Sequence, residues 1–282
     1  MKRRIAILMH ENESERTLGR YVITLLAEHW REDGHEVVFL FGVSRFEPAD
    51  LVIVHVNLSV VPAVYLEFAR RYPIAINGRV RDIRKSTFSA NIVRLNDTYD
   101  GKVIVKSDLN YAGAPERFLA SPSPRSWGPS LRQWYQKARS LQFDSPVDYR
   151  VYDRPNQVPR RYFGRKDLVL EKFLPEIDQG LYCVRNFHFL GDRMSCVRLK
   201  STHPIVNGDT FQSLERIEPH PDIVALRERL GFDYGKFDYV VADGNAHLLD
   251  VNKTIGAGGL SNDPEMRALR RYRAEGLYVF FR

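Results

Sequence analysis

The sequence predicts an α/β protein in two parts, an open α/β unit at the N-terminus followed by a larger half of mixed α+β character. Three observations carry this reading. Short aliphatic runs at 5–9, 37–41 and 51–56 alternate with helical patterns over the first 85 or so residues, the pattern of a parallel sheet with helical crossovers. Beyond residue 180, apolar runs meet in pairs at Gly191-Asp192 and Asp243-Gly244-Asn245, the pattern of antiparallel hairpins. Between the two lies a stretch at about 109–164 that is rich in Pro, Ser, Arg and aromatic residues and has little periodicity.

In chain order, residues 5–9 form the first strand. Leu18, Tyr21, Val22, Leu25, Leu26 and His29 then recur on one face, which predicts a helix that Gly34 stops. Strands follow at 37–41 and 51–56, and a helix over about 62–71 ends before Pro73. One more short strand at 74–76 precedes the turn at Asn77-Gly78. Residues 102–106 read as a strand. The irregular stretch is too long for a structureless loop in a compact domain, so local structure is expected there, with a helix near 131–139. Further strands are expected at 168–170, 183–190, 194–200, 237–241 and 247–251, with a helix at 223–230. A final helix starts with Asp263 as N-cap and Pro264 at the first helical position.

Composition narrows the function classes. The 282 residues allow two or three packed units, and 44% hydrophobic with 27% charged residues is an ordinary globular balance. No apolar run approaches the roughly 18 residues of a membrane span. The run behind Lys2, Arg3 and Arg4 is too short for a signal peptide. Cys183 and Cys196 give no disulfide framework, and two free thiols in a reducing, cytoplasmic compartment are expected. A net charge of +7 favours anionic partners. The densest basic stretch, 154–166, carries Tyr162 and Phe163 but is broken by prolines. It reads as a solvated loop rather than a nucleic-acid surface. His188, His203 and His220 show no zinc-ligand spacing with either cysteine. The glycines at 256–259 lack the Lys and Ser/Thr of a P-loop and read as a turn.

The segment KFDYVVADGNAHLLDVN at 236–252 carries the strongest chemical signal. Residues two apart on a strand share a face, so Asp250 and Asn252 project together while Val251 faces the other way. In a hairpin register centred on Gly244, Asp238 lies opposite Asp250 and Lys236 opposite Asn252. Two carboxylates and an amide oxygen on one face suit magnesium, which usually completes its shell with water and substrate phosphates.

Four motifs in chain order, VIVK at 103–106, LVLEKFL at 168–174, KFD at 236–238 and LLDVN at 248–252, resemble the ATP-grasp superfamily over roughly 102–258. The resemblance implies an N-terminal pre-ATP-grasp α/β domain at 1–85. A first grasp lobe would follow at 86–173, with an insert at about 109–164, and a second lobe with the metal hairpin at 174–282. It implies ATP and magnesium as cofactors, with two ions and with manganese as an alternative. Lys106 would contact the phosphates, Glu171, Lys172 and Leu174 would read the adenine, and Glu176 or Asp178 would take the ribose hydroxyls. Lys236 would stabilise the transferred phosphate, with Arg198 and Lys200 as further candidates for that duty, and Asp238, Asp250 and Asn252 would hold metal. Lys85 resembles an earlier nucleotide lysine, although its ordinary reading is a surface residue.

Two departures stand out. The family's glycine-rich phosphate loop is replaced by DLNYAGAP at 108–115, where Gly113 is the only glycine, so closure over ATP is expected to be different or weaker. A ligand that is commonly Glu is Asp250. The implied activity is an ATP-dependent ligase joining a carboxylate to an amine through an acyl phosphate. A small-molecule kinase and a nucleotide-binding regulatory protein without turnover remain as alternatives. The partners implied are small-molecule carboxylates and amines. Tyr111, Arg125, Trp127, Arg132, Arg160, Arg161, Lys253 and Thr254 are candidate substrate contacts, and the oligomeric state is left open.

Overall fold

The computed structural model describes residues 2–120, 149–257 and 264–282. The expected helix near 131–139, the candidate contacts Arg125, Trp127 and Arg132, and Gly258 and Gly259 lie outside the described residues.

Strand β1 (Arg4–Met9) is flanked by β2 (Glu36–Phe41) and β3 (Leu51–Val54), and β4 (Ala75–Ile76) completes a parallel sheet of order β2-β1-β3-β4. The aliphatic run of β1 is buried on both faces. Ile5, Ile7 and Met9 join one core cluster and Ala6 and Leu8 the other, as strand alternation requires.

The helical segment after β1 is not continuous. A single turn, α1 (Glu15–Leu18), ends at Gly19, and α2 (Val22–Glu32) begins after Tyr21, whose extended backbone bridges to Gly256. The buried stripe of α2 is Val22, Ile23, Leu26, Ala27, His29 and Trp30, with Leu25 off to the side. Helix α3 (Ala63–Ala69) covers the other face of the sheet. Asn77 adopts φ 56° at the predicted Asn-Gly turn, and the short α4 (Lys85–Phe88) follows.

Strand β5 (Val103–Ser107) is the centre of a small antiparallel sheet of order β6-β5-β7. Its neighbours are β6 (Arg150–Tyr152), contributed by the irregular stretch, and β7 (Leu168–Lys172). Helix α5 (Ala114–Leu119) also falls in that stretch.

The large sheet has the order β11-β10-β9-β12-β13. It contains β8 (Glu176–Asp178), which pairs with β9, then β9 (Leu181–Leu190), β10 (Arg193–Ser201), β11 (Ser213–Ile217), β12 (Tyr234–Ala242) and β13 (Asn245–Asn252). One face is packed by Phe187, Phe189, Phe237 and Tyr239 under Ile223 of α6 (Pro221–Leu230). The last helix, α7 (Pro264–Glu275), returns to the N-terminal unit. There the Trp30 indole N–H donates to the Ala274 carbonyl at 2.9 Å, and Ala274 and Leu277 share a core with β1 and α2. Among the described residues, no helix is long and apolar enough to cross a membrane.

Candidate active site

The hairpin β12–β13 brings the acidic residues together through a bulge. Around the turn at Asp243 (φ 51°) and Gly244 (φ 76°), Ala242 pairs with Asn245 and Tyr239 with Leu248. The register then shifts, Leu249 is the extra residue, and Asp238 pairs with Asp250 and Lys236 with Asn252. A bulge re-aims the side chains beyond it, and here it brings Asp250 opposite Asp238.

Both carboxylates meet cations, Asp250 the buried Lys85 and Asp238 the partly buried Lys236. The Lys85 ammonium lies 2.8 Å from Asp250 Oδ1, and Lys236 Nζ donates to Asp238 Oδ2 at 2.9 Å. Asn186, across the sheet on β9, donates to Asp238 Oδ1 at 2.6 Å. Burial pushes the Asp238 carboxyl up, Lys236 pulls against that, and Asp250 adds to the rise. For Lys85, burial opposes the charged form, but Asp250 and Tyr149 hold the ammonium above its usual range. Lys85 is 3% exposed and lines the central cavity, so its ordinary reading as a surface residue is overturned. The signal lay in tertiary structure, because nothing local to 82–85 reports that Asp250 sits above it.

The cavity, about 320 Å³, lies between the small and large sheets, a size in the range of small-molecule sites. At one end stand Lys85, Lys106 and Lys236 with Asp238, Asp250 and Asn252. Phe173, Leu174, Pro175, Tyr182 and Val184 and the loop at 204–209 complete the lining. Lys172 lines the cavity as well. Tyr149, Asn186 and that loop were not singled out from the sequence, because each reaches the site through strand pairing or a loop path with no local signature.

Glu171 does not line the cavity. It is 1% exposed, and its carboxylate sits 2.7 Å from Lys106 Nζ, where it supplies the counter-charge a buried ammonium requires. Glu176, Asp178, Arg198 and Lys200 are placed elsewhere too. Strand register explains why. Asp238 pairs with Asn186, and Asn186 with Val197, so these share the cavity face; Arg198 pairs with Arg185 and Lys200 with Cys183, one position out of step and on the opposite face. There Arg185 grips Glu176 at 2.8–3.0 Å, Asp178 accepts from Lys200 at 2.6 Å and from Arg198 at 3.1 Å, and Arg198 also pairs with Glu215. None of these four residues lines the cavity, and their charges are met by one another and by Arg185 and Glu215.

Strand β13 is tied to the N-terminal unit. Asn252 Oδ1 accepts from the Thr254 N–H at 2.8 Å, Thr254 Oγ1 donates to Asn57 Oδ1 at 2.7 Å, and Asn57 Nδ2 donates to the Tyr21 hydroxyl at 3.1 Å. Tyr21 in turn donates to Glu13. Lys253 is fully buried, donates to the Leu58 carbonyl, and is pushed down to about 7 by burial. Of the remaining expected contacts, Tyr111 lines the cavity, whereas Arg160 and Arg161 occupy a short helical turn that does not. Cys183 and Cys196 are free and buried.

Among the described residues, no three His, Cys, Asp or Glu side chains cluster tightly enough to hold a metal ion. Two carboxylates and an amide do converge, and the two ammoniums paired with them mark where cationic charge is favoured. This donor set fits a hard ion that takes its remaining oxygens from phosphate and water.

No protein-family model matches the chain, and no curated protein matches it in sequence. Solved structures do. D-alanine–D-alanine ligase from Bacillus anthracis aligns over 100% of this chain and 99% of its own at TM-score 0.50 and 12% identity. The ATP-grasp ligase PsnB, solved with a phosphomimetic variant of its minimal precursor, Mg and ADP, aligns over 98% of each chain at TM-score 0.51 and 12% identity. The chain has the ATP-grasp fold. A RimK domain ATP-grasp protein from Sphaerobacter thermophilus aligns over 98% of each chain at TM-score 0.49 and 13% identity. In this ATP-grasp frame the cavity is the cleft between the small and large sheets, and at these identities the likeness is one of fold.

Proposed function

We propose that this protein is an ATP-dependent ligase that activates a carboxylate as an acyl phosphate and passes it to an amine. The observation that carries the reading is the convergence of Lys85, Lys106 and Lys236 with Asp238, Asp250 and Asn252 at one end of a single cavity. The apolar lining suits an adenine ring, and the lysine end suits a triphosphate. Asp238, Asp250 and Asn252 would hold magnesium, as one or two ions, or manganese. The metal, when bound, neutralises phosphate oxygens.

The protein's own part is positioning and electrostatics. Lys106, oriented by Glu171, and Lys236, oriented by Asp238, present fixed cations to the phosphates. A carboxylate oxygen bonds to the γ-phosphorus as the bond to the β-phosphate oxygen breaks, giving acyl phosphate and ADP. The amine nitrogen then bonds to the carbonyl carbon, inorganic phosphate leaves, and the nitrogen gives up a proton. No protein nucleophile is required. The ligase reading is in keeping with the two aligned structures, a D-alanine–D-alanine ligase and an ATP-grasp ligase.

The test is chemical trapping. Incubation with Mg-ATP, a panel of carboxylates and hydroxylamine gives a hydroxamate if the acyl phosphate forms. ADP release with a stable phosphorylated product and no hydroxamate supports the kinase reading instead, and ATP binding without ADP release supports a regulatory protein.

A further inference from the structure

We propose that residues 108–119 form a preclosed cover over the lysine end of the cavity, locked onto the N-terminal unit, with a strained turn that holds Tyr111 over the ligand phosphates. The identity of that ligand rests on the nucleotide reading above; the lock itself does not. Three consecutive residues are left-handed, Tyr111 at φ 44°, Ala112 at φ 53° and Gly113 at φ 74°. For a residue as bulky as Tyr this conformation is an outlier, and such outliers persist only where surrounding structure enforces them. Asn110 and Tyr111 both line the cavity, and Tyr111 is 56% exposed beside it, whereas Ala112 is fully buried. The turn is therefore anchored at its centre, with Tyr111 at the rim of the cavity.

The anchors come from both sides of the segment. The Asn110 N–H donates to Ser59 Oγ at 2.8 Å, and the Ser59 N–H donates to Glu116 Oε1 at 2.8 Å, so one serine of the N-terminal unit clamps the turn and the helix after it. Asn12 Nδ2 donates to the Leu119 carbonyl at 2.9 Å, and Arg20 stacks on the Phe118 ring at 4.4 Å. Upstream, Ser86 donates twice to the Asp108 carboxylate at 2.7 and 2.8 Å, and Lys85 Nζ reaches the Leu109 carbonyl at 3.3 Å. Arg117 donates to the Ala112 carbonyl at 2.7 Å. A loop rich in glycine folds over its ligand after binding because its backbone is free; this segment, with one glycine, is held in place beforehand. Ordering entropy is then not lost at the moment of binding.

Amide hydrogen exchange on the full chain tests this. In the ligand-free protein, peptides covering 108–119 are expected to be protected, with no more than about a twofold change when Mg-ATP is added. In Ser59→Ala/Glu116→Ala, protection without ligand falls at least about tenfold, Mg-ATP restores it, and the Mg-ATP dissociation constant rises by about the factor by which the closed form is depopulated. Free exchange in the ligand-free wild type, with protection only on addition of Mg-ATP, overturns the proposal, as does unchanged protection in the double variant. If that variant does not fold, Tyr111→Gly serves. It removes the ring from a position whose backbone glycine adopts freely, so weaker Mg-ATP binding supports the cover and unchanged binding contradicts it. Should Mg-ATP bind to no form, the nucleotide reading falls while ligand-free exchange still decides the lock.

Discussion

Asp250 stands opposite Asp238 because Leu249 is an extra residue in its strand. Without that bulge the two-residue turn at Asp243 and Gly244 would set Asp238 against Leu249, and the second carboxylate would leave the cavity face. The pairing also creates the Lys85–Asp250 contact at 2.8 Å, which links β13 to α4.

Asp250→Asn leaves the buried Lys85 without its counter-charge, and the expected loss of stability is about 3 kcal/mol. Lys85→Met on that background should recover much of the loss. Urea denaturation of the two single variants and the double variant measures the coupling; additive effects would show that the pair does not act as a unit.

Arg198→Met and Lys200→Met should leave Mg-ATP affinity within about twofold, because both residues lie on the face away from the cavity and pair with Asp178 and Glu215. Their expected cost is a small loss of stability, because solvent screens these pairs. Lys106→Met should weaken the same affinity at least about tenfold, since it removes a charge-assisted phosphate contact. Fluorescence titration with a nucleotide analogue separates the two outcomes.

His55 is fully buried beside Tyr21 and Tyr234, and burial pushes it down to about 3. The unfolded chain binds this proton near pH 6.5 and the folded chain near 3, so the unfolded state holds more protons between these values. The stability His55 contributes is therefore fully present above about pH 6.5 and is lost as pH falls from there toward 3, at up to ~1.4 kcal/mol per pH unit. Melting temperature against pH should flatten over this window in His55→Phe; an unchanged slope would assign the acid sensitivity to other groups.

A Cβ at Gly276 would lie 1.9 Å from the Leu190 carbonyl oxygen, because the C-terminal turn crosses the β9–β10 hairpin backbone to backbone. Gly276→Ala should cost at least about 2 kcal/mol, measured by thermal or urea unfolding. A neutral effect would mean that the two segments separate readily.

The parallel sheet was legible because β1, β2 and β3 are aliphatic runs set between turns, and the shared face of Asp238, Asp250 and Asn252 was legible because they sit on adjacent strands joined by a short turn. That success has a qualification in physical terms: the register centred on Gly244 is correct at Asp238 only because the bulge at Leu249 offsets the two-residue turn. Pairing across long sequence separations was not legible. The face of Arg198 and Lys200 depends on how β10 meets β9 and β9 meets β12, a chain of registers that no local pattern fixes. Lys85, which resembles a nucleotide lysine, reads as a surface residue from sequence for the same reason, since its partner lies 165 positions later in the chain. The break between α1 and α2 escaped the helical periodicity because Tyr21 fits an apolar face equally well as a core contact at a helix entrance.

The most direct test of the central claim is calorimetric titration of ATP into the wild type, Asp238→Ala and Asn252→Ala, each with and without magnesium. The account predicts magnesium-dependent binding in the wild type and loss of the magnesium-dependent part in both variants, with the fold retained by circular dichroism. Absence of ATP binding in the wild type, or variants that bind Mg-ATP as the wild type does, would contradict it.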